Sequence, residues 1–163
     1  MGAIGAGMED TALLTTLVRE TDVEVLMLPG QYTLLDQAVL DGLLPACQER
    51  GASVIAAAVF HSGVLAQNRP GAGAMFGYRT APSAVLDRAN RIAEVCAAHT
   101  VTLPQAAMAF PLTHSAVTGV VLGMRSAAEV RQNVSFFAAA VPAQRWSDLC
   151  AEGLLDERVP IPS

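Results

Sequence analysis

The chain contains no lysine: all ten of its basic residues are arginine. Arginine binds phosphates and carboxylates well, but its pKa is too high for ordinary proton relay. Any mechanism that needs a lysine is therefore excluded for this chain alone. Histidine is scarce as well, at positions 61, 99 and 114. Neither His99 nor His114 has a carboxylate or cysteine at metal-ligand spacing, so both read as solvated or packed side chains and no metal site is expected. A net charge of −5 with no basic cluster argues against nucleic acid as a partner. The three cysteines, Cys47, Cys96 and Cys150, stand far apart with no CxxC, the pattern of buried thiols in a reducing cytoplasm. No apolar run reaches the roughly 18 residues that span a bilayer. Met1 is followed by Gly-Ala-Ile-Gly without a basic segment, so no secretory signal is expected either.

What is present in quantity is apolar surface. Hydrophobic residues make up 52% of the 163 positions, with a mean hydropathy of +0.39. That length suits one domain spanning 1–163, and the hydropathy is high enough to suggest apolar surface that needs a partner. Periodicity alternates between strand-like and helix-like segments. Ala3-Ile4 runs into Gly5-Ala6-Gly7. Leu13, Leu14, Leu17 and Val18 then recur at helical spacing after Asp10, a fitting N-cap. A strand over 25–28 ends at Pro29-Gly30, and a helix over 36–50 stops at Gly51, with Pro45 expected to bend it. The continuous apolar strand over 53–59 is of the kind buried on both faces of a parallel sheet. A long glycine-rich loop follows over 61–82.

Ser83 is expected to cap a helix reaching about His99, and Pro104 sits where a helix-starting proline belongs. A further buried strand covers 117–122. Ser126-Ala-Ala-Glu129 has capping-box form and opens a helix to about Ala139. A last helix begins at Pro142 and carries Trp146 and Leu149. Four strands alternating with helices mean a parallel α/β fold. Periodicity leaves two architectures open, a small doubly wound sheet or four units of an eight-stranded barrel that normally needs about 250 residues.

Three short motifs bear on chemistry. Gly5-Ala6-Gly7 lacks the third glycine of a dinucleotide fingerprint, since Asp10 holds that position; a tight strand-to-helix turn is the better reading. His61-Ser62-Gly63-Val64-Leu65 closes a buried strand, where a hydroxyl and a glycine can approach a phosphate closely. Gly123-Met124-Arg125-Ser126 lies between a strand and a capped helix, so helix-start N–H groups and Arg125 could cradle an anion. A GxSxG elbow is absent, and nothing supports a serine triad.

Taken in order, Ala3-Ile-Gly-Ala-Gly-Met, Gln31-Tyr-Thr-Leu-Leu-Asp36, Val59-Phe-His-Ser-Gly-Val-Leu65, Phe110-Pro-Leu and Val121-Leu-Gly-Met-Arg-Ser-Ala-Ala-Glu-Val-Arg-Gln-Asn133 resemble the aldo-keto reductases. The likeness is greatest to their aldose-dehydrogenase branch, the L-fucose and D-threo-aldose 1-dehydrogenases, with pyridoxal dehydrogenase nearby. The resemblance implies α/β architecture of one kind: half of a (β/α)8 TIM barrel, with this chain supplying the fifth to eighth βα units. It implies NAD or NADP as cofactor, with Ser62, Gly63 and Leu65 in the loop covering the pyrophosphate. Gly123, Met124, Arg125 and Ser126 match the segment holding the adenosine phosphate, and Gln132 and Asn133 the pair contacting adenine and its ribose.

Departures from the family pattern fall at the same places. Glu9 stands where an asparagine usually holds the carboxamide, and His61 where the loop usually has asparagine. Glu129 replaces a helix arginine that often grips a 2′-phosphate, which favours NAD. The family's tyrosine, lysine, aspartate and histidine come from the first four barrel units, so no catalytic residue is assigned here. Neither Tyr32 nor Tyr78 has the family's catalytic context. The resulting expectation is a cytoplasmic oxidoreductase fragment, inactive alone, arising as a truncated product, a mis-called start or one part of a split enzyme. Its partners would be the dinucleotide and a missing N-terminal half or a second copy, with no nucleic acid and no membrane. The alternative is a non-catalytic half-barrel that binds nucleotide or self-associates through its two uncovered strand edges.

Overall fold

The computed structural model describes residues 2–161. The strands β1 (Gly5–Gly7), β2 (Val25–Pro29), β3 (Ser53–Ala57) and β6 (Val117–Val121) form one parallel sheet in the order β1-β2-β3-β6. A two-residue hairpin, β4 (Met75–Phe76) and β5 (Arg79–Thr80), stands apart from it. The helices are α1 (Thr11–Glu20), α2 (Leu43–Arg50), α3 (Ser83–Ala98), α4 (Leu103–Ala109), α5 (Ala127–Ala138) and α6 (Gln144–Ala151).

The strands follow one another across the sheet in chain order. A doubly wound sheet reverses its order at a switch point and carries helices on both faces; this one does neither. Crossovers of one hand deposit every helix on the same face. Burial shows which face that is. Leu26, Leu28, Val54 and Ala56 are at most 1% exposed, in one cluster with Leu14 and Val18 of α1, Leu44 and Cys47 of α2, and Ile92 and Cys96 of α3. On the other face Met27 and Val121 are each 44% exposed. The register aligns Gly7, Met27, Ile55 and Gly119 along that open side. The architecture is therefore a curved layer of βα units, helices outside and an apolar face uncovered inside.

Local chemistry explains where elements begin and end, and corrects several expectations. Gly5-Ala6-Gly7 is itself the first strand and not a strand-to-helix turn. A Cβ on Gly5 would come within 2.6 Å of the Val25 side chain, so only glycine fits there. Asp10 does cap α1, accepting from the Leu13 N–H at 2.9 Å. The expected single helix over 36–50 is split: a 3-10 turn covers Ala38–Asp41, and α2 starts only after Gly42 at φ −151°, ψ −62°. Pro45 causes no bend, because it falls in the first turn of α2, where its missing N–H has no intrahelical partner to lose. Gly51 ends α2 at φ 71°.

Ser83 is the first residue of α3 and the N-cap is Pro82, without a side-chain cap. At α4 the cap is Thr102, whose hydroxyl accepts from the Gln105 N–H while the Gln105 carbonyl accepts from the Thr102 N–H, with Pro104 in the first turn. The loop over 61–82 is more ordered than its glycine content suggests. Gly77 and Tyr78 have φ of 56° and 64°, the paired positive values that a tight hairpin turn requires.

Candidate functional site

An open cleft of about 800 Å³ lies beyond the carboxyl ends of the parallel strands, where parallel α/β folds place their ligands. Segments following each strand converge on it: Glu9 after β1, Gly30 and Gln31 after β2, Ala58 to Gly63 after β3, and Leu122 and Gly123 after β6. The start of α5 adds Arg125, Glu129, Gln132 and Asn133, and the β4–β5 hairpin adds Phe76, Gly77 and Tyr78.

The β3 side of the cleft is a tightly bonded, strained turn. Ala58, His61, Ser62 and Tyr78 all have φ between 45° and 64°, a region that costs non-glycine residues energy and collects at ligand clamps. The turn is held by specific contacts. His61 Nε2 lies 2.7 Å from Thr33 Oγ1, and its ring stacks on Phe76 with centroids 4.7 Å apart. Ser62 Oγ accepts from the Tyr78 N–H at 3.0 Å, tying the hairpin down over the loop. Gly30, at φ 69°, leaves room for the His61 ring, which a Cβ would approach to 3.4 Å. Burial lowers the His61 pKa, and Asp36 nearby opposes that shift.

The β6 side is a helix start. Ser126 caps α5, its Oγ accepting from the Glu129 N–H at 3.2 Å. The Glu129 carboxylate turns back to accept from the Arg125 N–H at 2.7 Å and lies 3.7 Å from the Arg125 guanidinium. The capping box suggested by the sequence is thus displaced by one residue. The Arg125 side chain is 92% exposed at the helix start. A helix N-terminus carries partial positive charge, and the Glu129 carboxylate lies against it.

Of the nine residues singled out from sequence, Ser62, Gly63, Gly123, Arg125, Gln132 and Asn133 line this one cleft. Met124 is 43% exposed beside it, and Ser126 acts as the cap. Leu65 lies elsewhere: its side chain is fully buried and its N–H donates to the Phe60 carbonyl at 3.1 Å. Sequence reasoning did not pick out Thr33, Phe76 or Tyr78 as parts of the site. For Thr33 the signals were Pro29-Gly30 after a strand and the Gln31–Asp36 motif that follows it, neither of which names a partner for the His61 loop.

The titratable side chains that line the cleft are Glu9, Asp36, His61, Tyr78, Arg125 and Glu129; Tyr32 is not among them. Tyr32 is fully buried, its hydroxyl 3.4 Å from Thr113 Oγ1, and burial pushes its pKa up to about 12. Cys47 and Cys96 are buried free thiols, each pushed up to about 11 by burial. Among the described residues no cluster of three or more histidine, cysteine or acidic side chains could hold a metal ion, and no helix is long and apolar enough to cross a membrane.

The chain is similar in sequence and in fold to known proteins. The chain is 40% identical over 153 residues to a D-threo-aldose 1-dehydrogenase of a Pseudomonas species, covering 94% of this chain and 46% of the relative. It is 38% identical over 151 residues to pyridoxal 4-dehydrogenase of Microbacterium luteolum, covering 93% and 44%. Its fold matches an aldo-keto reductase of Bacillus halodurans in its holo form with a TM-score of 0.73 at 21% identity, over 95% of this chain and 50% of that one. The chain thus spans about half the length of the relatives it matches, and its four βα units are half of a (β/α)8 barrel. The aldo/keto reductase family pattern matches residues 2–151, and the chain belongs to that family.

Proposed function

We propose that this chain is the part of an NAD(P)-dependent aldose dehydrogenase that holds the phosphate side of the dinucleotide, and that its proton-transfer groups come from a complementary half-barrel. One observation carries the reading. Six residues drawn from the loops after two strands and from one helix start, Ser62, Gly63, Gly123, Arg125, Gln132 and Asn133, meet in a single cleft at the carboxyl ends of the strands. Glycines at 63 and 123 admit close approach of a phosphate, the α5 start and Arg125 attract its charge, and Gln132 and Asn133 offer amides to a base and ribose. When bound, the dinucleotide supplies or accepts a hydride. This chain's own residues bind and orient it. They do not move the proton, because Tyr32 is buried with a raised pKa and the chain has no lysine to tune a tyrosine.

The two relatives, an aldose dehydrogenase and a pyridoxal dehydrogenase, suggest an aldose or pyridoxal as substrate. A cytoplasmic setting suits three unpaired thiols. NAD is favoured over NADP, because the Glu129 carboxylate at the α5 start repels a 2′-phosphate. Calorimetry with both dinucleotides tests this: NAD should bind more tightly, and Glu129→Gln should improve NADP binding by about 3- to 10-fold. Equal affinities in both proteins would remove the specificity claim. NAD(P)H production from aldoses by the purified chain alone would overturn the division of labour.

A further inference from the structure

Both margins of the sheet are open. Among the described residues β1 pairs only with β2 and β6 only with β3, so each presents a row of unpaired backbone groups, the feature that recruits another strand. None of the four parallel strands carries a charged residue, which removes the usual protection of such edges. The helices repeat the pattern. α5, which follows the edge strand β6, has no buried residue. Its face toward the cleft carries Glu129, Gln132 and Asn133, while Val130, Val134 and Phe137 form a separate stripe at 41%, 63% and 57% exposure. At the opposite margin, Leu13 of α1 is 47% exposed. An apolar stripe on a helix beside an open strand edge is a surface shaped for a neighbouring βα unit.

We propose that, on its own, the chain closes these surfaces with a second copy of itself as a two-fold symmetric, eight-stranded barrel. A half-turn about the barrel axis keeps all strands parallel, brings β6 of one protomer beside β1 of the other, and lays the α5 stripe against α1 of the partner subunit. Each protomer supplies half the circumference, so the head-to-tail contact closes at two copies and does not run on as a filament. The size agrees, because the chain covers 46% and 44% of its matched relatives and the space to fill is one further piece of its own length. The interior agrees too. The inward register positions hold seven non-glycine side chains per protomer, from Val25 to Val121. About six are expected from half of a core of three layers of four. The proposal shares the half-barrel fold with the functional reading above but does not depend on cofactor binding.

The test is sedimentation equilibrium of the full chain and of three variants, with hydrogen exchange on the same samples. The unaltered 17.0 kDa chain should run at twice its mass, with slow exchange in β1 and β6. Met27→Glu places a carboxylate inside the closed barrel and should weaken the dimer by roughly 10²- to 10³-fold. Val134→Glu, on a position already 63% exposed and so harmless to folding, should also shift the chain toward monomer. Ala98→Glu on the outer face of α3 should leave the dimer intact. A monomer at tens of micromolar, open-ended polymers, a dimer insensitive to both Met27→Glu and Val134→Glu, or rapid exchange at the two edges would each overturn the proposal. Dinucleotide calorimetry reports separately on the cofactor reading.

Discussion

Arg145 sits inside the core of α6 with no exposed surface, and its three guanidinium nitrogens have no hydrogen-bond partner among the described residues. It stacks instead on Trp146, with Cζ 3.8 Å from the ring centroid, and burial lowers its pKa to about 10. Cation–π stacking recovers about 2 kcal/mol at a desolvated site, less than the cost of burying an unpaired cation. Arg145→Met should therefore stabilise the protein by about 1–3 kcal/mol in urea unfolding; a loss of stability would show that the stack outweighs desolvation. Two histidines, His114 buried and His61 half-buried, give a second check. Burial lowers the pKa of both His61 and His114, so below about pH 6.5 the unfolded chain binds more protons than the folded one. Stability should then fall as pH drops from 7 toward 5, and the His61→Asn, His114→Asn double variant should flatten that fall in thermal melts. An unchanged slope would assign the pH dependence to other groups. At this scale the sequence was legible in placement: Gly63, Gly123 and Arg125, singled out from loops far apart in the chain, line one cleft. It was silent on Arg145, since nothing in a linear pattern distinguishes a buried arginine from a solvated one. Nor does it show that the side chain of Leu65, in the same loop as Ser62 and Gly63, packs into the core.

Elements were readable to the extent that local chemistry decides them. Asp10 at α1, Gly51 after α2 and Ser126 at α5 act as their positions suggested, because caps and left-handed stops depend on a few consecutive residues. The break at Gly42 was not legible, since helical periodicity runs across it and only the backbone dihedrals separate the 3-10 turn from α2. The β4–β5 hairpin was hidden for a similar reason. Its turn places Tyr78, a non-glycine residue, at positive φ, held there by the Ser62 hydroxyl from a distant part of the loop. Caps also give the clearest energetic test. Thr102→Ala removes the reciprocal bonds with Gln105 at the start of α4 and should cost about 1 kcal/mol, read as a drop of roughly 0.5 M in the urea midpoint. Thr102→Ser should restore most of it. An unchanged midpoint for the alanine variant would mean that packing of Leu103 and Ala106 alone fixes this helix.

For the whole molecule, periodicity left open two architectures, and strand order decides between them. A sheet in unbroken chain order with helices on one face is an arc of a barrel, and four units make half of one. The cleft at its strand ends gathers two glycine-containing loops, a helix start and the amides of Gln132 and Asn133, in a chain with no lysine; on the function proposed above, these hold the phosphate side of a dinucleotide. The most direct measurement of that division is calorimetric titration of the chain with NAD, ADP-ribose and nicotinamide mononucleotide. If the chain grips only the adenosine and phosphate side, NAD and ADP-ribose should bind within about threefold of each other, and the mononucleotide should give no heat at millimolar concentration. Mononucleotide binding comparable to that of NAD, or no binding by NAD and ADP-ribose alike, would contradict the account.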